Sequence, residues 1–488
     1  MESVPSSSPL HVLFLAAEAT PLIKVGGLAD VAGSLPRALR RLDPPLCDAR
    51  LVLPMHAGLA DRVETRHLFT EVNIETLTGE ILPASIYQAD YQGLPLYLIS
   101  GPPIPPDAPV YSGGEADGDK FVFFSLAALA LTEQLATTWG NMILHANDWH
   151  TALTIYMLRM RQIEHPALKH VRTLLTIHNL PFMGQEARPA LQRFQIPPAH
   201  LTALPEWAQS LPLPMGLWAA DHINTVSPTY AEEILTPEYG CGLETFLQGR
   251  KEHLSGILNG LDEQEWDPAK DPALVNRYTW QTLHQRQINK QALLHEMQLD
   301  RQMQTPLLII ISRLDQQKGI DIALDGLMQL HNQAWNLIIL GRGDPVLENK
   351  CHEFARTYPE RARFIQRIDI ELARRLYASG DILLMPSRYE PCGLAQMIAM
   401  RYGCIPLARA TGGLKDTIDD DPTLQRSTGF LFKEATPEAF AQKLHEALDC
   451  FHNPTLWQEI QKRAMQKDFS WKRSARTYFE LYKKLLNL

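Results

Sequence analysis

Short apolar runs and amphipathic stretches alternate along this chain, and the alternation predicts its elements. Val12–Ala16 is an apolar run of strand length; after it Leu28, Val31, Leu35, Leu39 and Leu42 fall near helical spacing. Met142–Leu144 predicts a strand ahead of a helix from about Thr151, and Thr173–Ile177 predicts a strand ending at His178-Asn179. Leu307–Ile311, Leu337–Leu340, Ile382–Met385 and Ile405–Ala408 repeat the pattern, each followed by a polar or glycine-containing turn and a helical stretch. Strands separated by helices need crossover connections, so the expected sheets are parallel and the fold class is α/β.

Two features divide the chain. Polar, helix-forming residues over Asn276–Arg301 separate the cluster Asn259-Gly260-Leu261-Asp262 from the apolar strand Leu307–Ile311. Gly26-Gly27-Leu28-Ala29-Asp30-Val31 is echoed by Gly412-Gly413-Leu414-Lys415-Asp416-Thr417, each after an apolar run and opening a helical stretch. The echo supports two Rossmann-like doubly wound domains facing a cleft, with ligands outside the carboxyl ends of the strands where the glycine turns lie.

Composition narrows the function classes. With 488 residues, 45% hydrophobic and 21% charged, the chain has the make-up of a globular enzyme of several domains. The 46 Lys+Arg against 55 Asp+Glu, a net charge of -9, argue against sequence-independent binding of nucleic acid, while a local basic pocket for a phosphorylated small molecule stays open. The longest apolar run, Phe121–Leu131, falls short of the roughly 18–20 residues of a membrane span. Glu2 is the only charged residue before His11, so a basic secretory leader is not expected. Six scattered cysteines without a CxxC pair point to a reduced, cytoplasmic chain without structural zinc.

Four motifs carry candidate chemistry. In Lys24-Val25-Gly26-Gly27 the glycines let backbone N–H groups approach an anion, and the following helix adds its positive end. A plain glycine turn with a solvated lysine is the competing reading. Arg313 and Lys318, on the loop after Leu307–Ile311, suit a pyrophosphate, one as a bidentate fork and the other as a point charge. No GxxxxGK[ST] occurs, which excludes a Walker loop. Glu390, within Pro386-Ser387-Arg388-Tyr389-Glu390-Pro391-Cys392-Gly393-Leu394, is a carboxylate able to bind sugar hydroxyls or stabilise positive charge at an anomeric carbon, whereas Cys392 reads as a small buried hydrophobe. His145-Ala146-Asn147-Asp148-Trp149-His150 and Thr176-Ile177-His178-Asn179 fit no zinc spacing and suit a polyhydroxylated ligand, with Trp149 as packing; His145 and His150 read equally well as structural.

With these motifs assembled, the sequence resembles the bacterial glycogen synthase and plant starch synthase family of retaining glycosyltransferases. The resemblance rests on KVGGLADV (Lys24–Val31), DWHTAL (Asp148–Leu153), TIHN (Thr176–Asn179), NTVSPTYAEEI (Asn224–Ile234), LSGILNGLD (Leu254–Asp262), SRLDQQKG (Ser312–Gly319), LGRGDP (Leu340–Pro345), MPSRYEPCGL (Met385–Leu394), RYGCIPLARATGGLKDT (Arg401–Thr417) and FSWKRSA (Phe469–Ala475), in the family's order. It implies a GT-B architecture: an acceptor-side domain at 1–265, a donor-side domain at 266–470, and a helix at 471–488 that packs back on the first. It implies transfer of glucose from ADP-glucose to the non-reducing end of an α-1,4-glucan, with no cofactor and no metal, and it sets no oligomeric state. Glu390, His178, Lys24, Arg313 and Lys318 are implied as catalytic. Gly26, Gly27, Asp148, Asn179, Asn259, Cys392, Gly393, Leu394, Thr411, Gly412 and Gly413 are implied to bind substrate.

The chain departs from the family pattern at named places. Val25 stands where Thr is usual, Asn147 where His is frequent, Ile368 where an aromatic able to stack on the base is common, and Ala395, Met397 and Ile398 differ after the EPCGL motif. These departures bear on donor and acceptor preference. Competing readings are a UDP-glucose transferase, a sucrose synthase or phosphorylase relative, and a non-catalytic glucan-binding relative. An NAD-dependent oxidoreductase is disfavoured because no GxGxxG follows the first strand.

Overall fold

A computed structural model describes residues 9–44, 46–63, 66–200, 202–300 and 302–488; Glu2, and Arg301 at the end of the polar stretch, lie outside the described residues. The chain divides into two compact units, one of the described residues through Gly260 with Trp471–Leu488, the other Leu261–Ser470. The division falls at Gly260/Leu261 rather than at 265/266. Leu261 forms a parallel bridge with Ser470, and its N–H donates to the Phe469 carbonyl at 2.7 Å, which ties it to the second unit.

The first unit contains β1 (Leu10–Leu15), β2 (Cys47–Pro54), β3 (Arg66–Glu75), β4 (Ile81–Tyr91), β5 (Leu94–Ser100), β6 (Met142–Asn147), β7 (Val171–Ile177), β8 (His222–Thr225) and β9 (Leu254–Gly256). Among the described residues they form one sheet in the order β3-β4-β5-β2-β1-β6-β7-β8-β9. From β5 to β9 neighbours run parallel, but β3–β4 and β4–β5 are antiparallel, which corrects the wholly parallel expectation. Along β4, Leu82, Ala84 and Ile86 are buried while Ile81 and Pro83 face out, the alternation of a sheet with one solvated face. Gln92 and Gly93 close the β4–β5 hairpin with φ of 53° and 79°, as a two-residue turn matched to strand twist requires.

Strand β1 feeds both cores of this unit. Leu13 and Leu15 pack with the helix Glu115–Ala136, which contains the apolar run Phe121–Leu131. Val12 and Phe14 pack with the helices Gly27–Arg40 and Trp471–Leu486. The second of these buries Trp471, Ala475, Tyr478 and Tyr482 along one face. Tyr478 Oη accepts from Asn224 Nδ2 at 3.0 Å and Tyr482 Oη bonds His145 Nδ1 at 2.8 Å, which fixes the helix to β8 and β6. No helix among the described residues is long and apolar enough to cross a membrane.

The second unit holds β10 (Leu307–Ile311), β11 (Asn336–Leu340), β12 (Ala362–Ile365), β13 (Ile382–Met385), β14 (Ile405–Arg409) and β15 (Phe430–Phe432). They are all parallel, in the order β12-β11-β10-β13-β14-β15. Their near-continuous apolar sequences follow from helices covering both faces. The polar stretch before β10 is bound into this unit: Lys290 Nζ lies 2.7 Å from Asp381 and donates to the Thr305 carbonyl at 2.9 Å. In each sheet the chain goes first to one side of a central strand and later to the other. That places topological switch points beside β1, between β2 and β6, and beside β10, between β11 and β13.

Candidate active site

In the second unit the loops after β10 and β13 are stitched together. Asp315 accepts the Lys318 N–H at 3.1 Å and caps a single tight turn. Gly319 follows with φ 63°, and a Cβ there would stand 2.1 Å from the Pro386 carbonyl, so only glycine permits this approach. The Arg388 N–H donates to the Gln317 carbonyl at 2.7 Å, and Gln317 Nε2 to the Tyr389 carbonyl at 3.2 Å. This juxtaposition sets Lys318 Nζ 2.9 Å and 2.7 Å from the two carboxylate oxygens of Glu390, while Ser387 Oγ donates to Oε2 at 2.9 Å. Glu390 is buried, and Lys318 and Ser387 are the partners that meet its carboxylate there. Arg409, whose Nε donates to the Ser387 carbonyl at 2.8 Å, braces the same loop from β14 and was not singled out from sequence. Arg313 lies apart on the exposed side, 3.4 Å from Asp315, as a solvent-screened pair.

The two glycine pairs share a sequence and differ in their surroundings. A Cβ at Gly412, where φ is 43°, would stand 2.0 Å from the Glu390 carbonyl, and one at Gly413 would stand 2.1 Å from the Cys392 carbonyl. The Gly413 N–H donates to the Glu390 carbonyl at 3.1 Å. Gly412 and Gly413 therefore lie directly against the backbone of Glu390–Cys392, and Thr411 precedes them with its N–H donated to the Arg409 carbonyl at 2.9 Å. Gly27, by contrast, opens the helix Gly27–Arg40 with nothing within 4 Å of a Cβ. The echo also falls at unlike positions, after central β1 in one sheet and after β14 in the other, where β10 is the central strand.

In the first unit Asp148 follows β6 with φ 55°, and its Oδ1 accepts the N–H groups of His178 at 2.7 Å and Asn179 at 3.4 Å, across from β7. Burial, with a smaller contribution from the charge of Glu18, pushes its carboxyl up to about 7. Asn147 Nδ2 donates to the Leu15 carbonyl of β1 at 2.9 Å, which leaves its Oδ1 to accept from His178 Nε2 at 2.9 Å. Burial holds His178 down to about 3, so the imidazole is neutral at physiological pH with its proton on Nε2. Asn147, a departure from the family pattern, thus fixes the tautomer of a candidate catalytic residue. Asn179 Oδ1 and Asn259 Oδ1 are enclosed acceptors with no hydrogen-bond partner among the described residues.

At the Lys24 turn, Lys24 Nζ pairs with Asp30 at 2.7 Å and 2.8 Å. The Val25 and Gly26 N–H groups are turned toward Glu18, a residue that no motif or periodicity marks. Among the histidines, His145 is structural: both ring nitrogens are taken, by Tyr482 Oη and Thr176 Oγ1, each at 2.8 Å. His150 packs among Tyr111, Phe121 and Trp149. No group of three His, Cys, Asp or Glu side chains able to hold a metal occurs among the described residues, and the six cysteines form no disulfide. Cys392 is buried, and Gly393, with φ 73°, leads through half-buried Leu394 into the helix Ala395–Arg401. The departures separate by exposure. Val25 and Ile368 are exposed, while Met397 and Ile398 are buried within the helix Ala395–Arg401.

Comparison with known proteins gives this geometry its class. Residues 11–249 match the starch synthase catalytic domain and residues 295–464 match the glycosyl transferases group 1 domain. The chain superposes on the catalytic domain of starch synthase IV from Arabidopsis thaliana, solved bound to ADP and acarbose, with a TM-score of 0.87 at 31% identity, covering 99% of this chain and 100% of that one. Sucrose-phosphate synthase from Thermosynechococcus elongatus shares the fold, with a TM-score of 0.62 at 18% identity over 98% of this chain and 99% of that one. Two Rossmann-like units with these matches make the protein a GT-B glycosyltransferase. It is 38% identical to the glycogen synthase of Thioalkalivibrio sulfidiphilus over 98% of this chain and 100% of that protein. The chain belongs to the glycogen and starch synthase family.

Proposed function

We propose that the protein is an ADP-glucose:α-1,4-glucan glucosyltransferase that adds glucose to the non-reducing end of a glucan with retention of configuration. The observation that carries the reading is the buried Glu390 carboxylate held by Lys318 at 2.7 Å and 2.9 Å beside the switch point of the second sheet. A fixed negative charge suits a sugar that gains oxocarbenium character, and a neighbouring cation suits a departing diphosphate.

The second unit binds the donor in this reading. The anomeric C–O bond to the diphosphate breaks, and its electron pair leaves with the phosphate oxygen. Lys318 and Arg313 stabilise that charge, with Lys24 as a further phosphate contact. The acceptor hydroxyl forms the new bond on the same face, and its proton passes to the departing phosphate. No enzyme nucleophile is required. Asp148, neutral His178 and the unpartnered amide oxygens of Asn179 and Asn259 meet sugar hydroxyls. Cys392, Gly393 and Leu394 line the donor side.

The reaction needs no bound cofactor. The six cysteines outside any disulfide support a cytoplasmic setting. ADP as the donor nucleotide is supported by the ADP bound to the Arabidopsis relative, and a glucan acceptor by its acarbose.

The test supplies labelled ADP-glucose and UDP-glucose in parallel, each with glycogen and with short maltooligosaccharides. Incorporation from ADP-glucose at a rate well above UDP-glucose is expected. Binding of glucan without incorporation from either donor would sink the reading.

A further inference from the structure

The glycine turn after β1 is pinned from its inner side by a carboxylate. Val25 N–H donates to Glu18 Oε2, and Gly26 N–H donates to Oε1 and Oε2 at 3.1 Å and 3.0 Å. Tyr111 Oη donates to Oε1 at 3.3 Å. Glu18 is 1% exposed, so it meets the turn from within the fold. The outer side is open: Lys24 and Val25 are exposed, a Cβ on Gly27 would meet nothing within 4 Å, and no side chain caps the helix that begins there. Burial raises the Glu18 carboxyl above its ordinary range, and the two backbone N–H groups oppose that rise. The carboxylate and the turn thus stabilise each other, and a turn held by charge-assisted bonds on one face has its other face preset.

We propose that Glu18 is a positioning residue for phosphate recognition: its buried carboxylate clamps the Val25–Gly26 backbone so that Gly27 and the first turn of the following helix present their N–H groups outward to the donor diphosphate. The proposal rests on the reading of this turn as a phosphate contact. Glu18 takes no part in bond making, and its effect passes through the direction of N–H groups it does not itself carry. A pair of glycines here provides conformational freedom; the carboxylate removes that freedom in one orientation, so the cost of ordering the turn is met on folding rather than on binding.

Titration calorimetry with ADP and, separately, with adenosine tests this on wild type, Glu18→Gln and Glu18→Ala, alongside the rate of transfer from ADP-glucose. Gln keeps the shape but offers one acceptor oxygen where two are used, and it keeps the comparison available if Ala fails to fold. The proposal expects ADP affinity to fall about tenfold in Glu18→Ala and less in Glu18→Gln, the scale of losing a hydrogen bond to a charged group. Adenosine, which carries no phosphate, is expected to bind all the proteins equally. An active wild type whose variants bind ADP unchanged or more tightly would overturn the positioning role and leave the glucosyltransferase reading standing. Parallel loss of ADP and adenosine would also overturn it, since that marks a general structural effect. A wild type that neither binds ADP nor transfers glucose would remove the underlying reading, and the proposal with it.

Discussion

Lys318 and Glu390 form a two-pronged ion pair, Nζ to Oε1 and Oε2 at 2.9 Å and 2.7 Å, between the loops that follow β10 and β13. The lysine is mostly covered and the carboxylate almost wholly so. Removing one partner leaves a buried charge without compensation, which costs about 3 kcal/mol or more. Lys318→Met is therefore expected to lower the calorimetric melting temperature and to reduce transfer by at least about a hundredfold. The double variant Lys318→Met/Glu390→Gln is expected to regain much of the melting temperature and none of the activity. Recovery of activity in the double variant would show that the pair is structural only.

Asp148 predicts a pH-dependent stability. Its folded carboxyl lies at about 7 against an ordinary 3.8, so between those values the folded protein binds more protons than the unfolded chain. Stability from this group is present at low pH and falls as pH rises through that window. Asp148→Asn keeps an acceptor for the His178 N–H and removes the buried charge. Its melting temperature is expected to gain on wild type from about pH 4 to pH 7, at about 2–4 °C per kcal/mol, and to level off above that. Its transfer rate is expected to collapse. A melting-temperature difference that does not change with pH would contradict the assignment.

His178 is read as neutral with its proton on Nε2 because Asn147 Oδ1, oriented by the Leu15 carbonyl, accepts there at 2.9 Å. Nitrogen-15 spectra of labelled histidine are expected to show that tautomer, uncharged down to about pH 4. In Asn147→Leu the tautomer is expected to become mixed, with kcat down by about tenfold, the scale of one hydrogen bond. An unchanged spectrum in the variant would remove Asn147 from the site.

The glycine pairs separate by what alanine does to them. Gly412→Ala forces a Cβ to within 2.0 Å of the Glu390 carbonyl and is expected to destabilise the protein by about 2 kcal/mol or more, seen as a lower melting temperature. Gly27→Ala meets no neighbour within 4 Å, and the melting temperature is expected to hold or rise slightly. Its effect is expected in the donor KM, because the added methyl group stands on the turn proposed to meet the donor diphosphate. Equal destabilisation by both variants would refute the distinction.

Much of this was legible in the chain because apolar runs covered on both faces leave little ambiguity; β10 and β13 have the predicted ends, and Lys318 and Glu390 sit on the loops that follow them. The antiparallel edge strands β3 and β4 were not read, since their alternating residues make a weaker signal than a buried run, although the Gln92-Gly93 turn that joins β4 to β5 was there to find. Glu18 lies just past the apolar run Val12–Ala16 and was not selected, because a carboxylate aimed at backbone N–H groups leaves no periodic mark. The Asn147 bond to Leu15 crosses from β6 to β1, a pairing of distant segments that no local pattern announces. Gly26-Gly27 and Gly412-Gly413 read alike because sequence records the residue type and not the neighbour that a Cβ would strike.

The central claim is retaining transfer of glucose to a glucan, and the most direct measurement follows the product by proton NMR as purified protein acts on ADP-glucose and maltotriose. The account predicts new α-1,4 anomeric signals growing in step with released ADP. A β-configured linkage, or free glucose accumulating in place of a lengthened glucan, would contradict it.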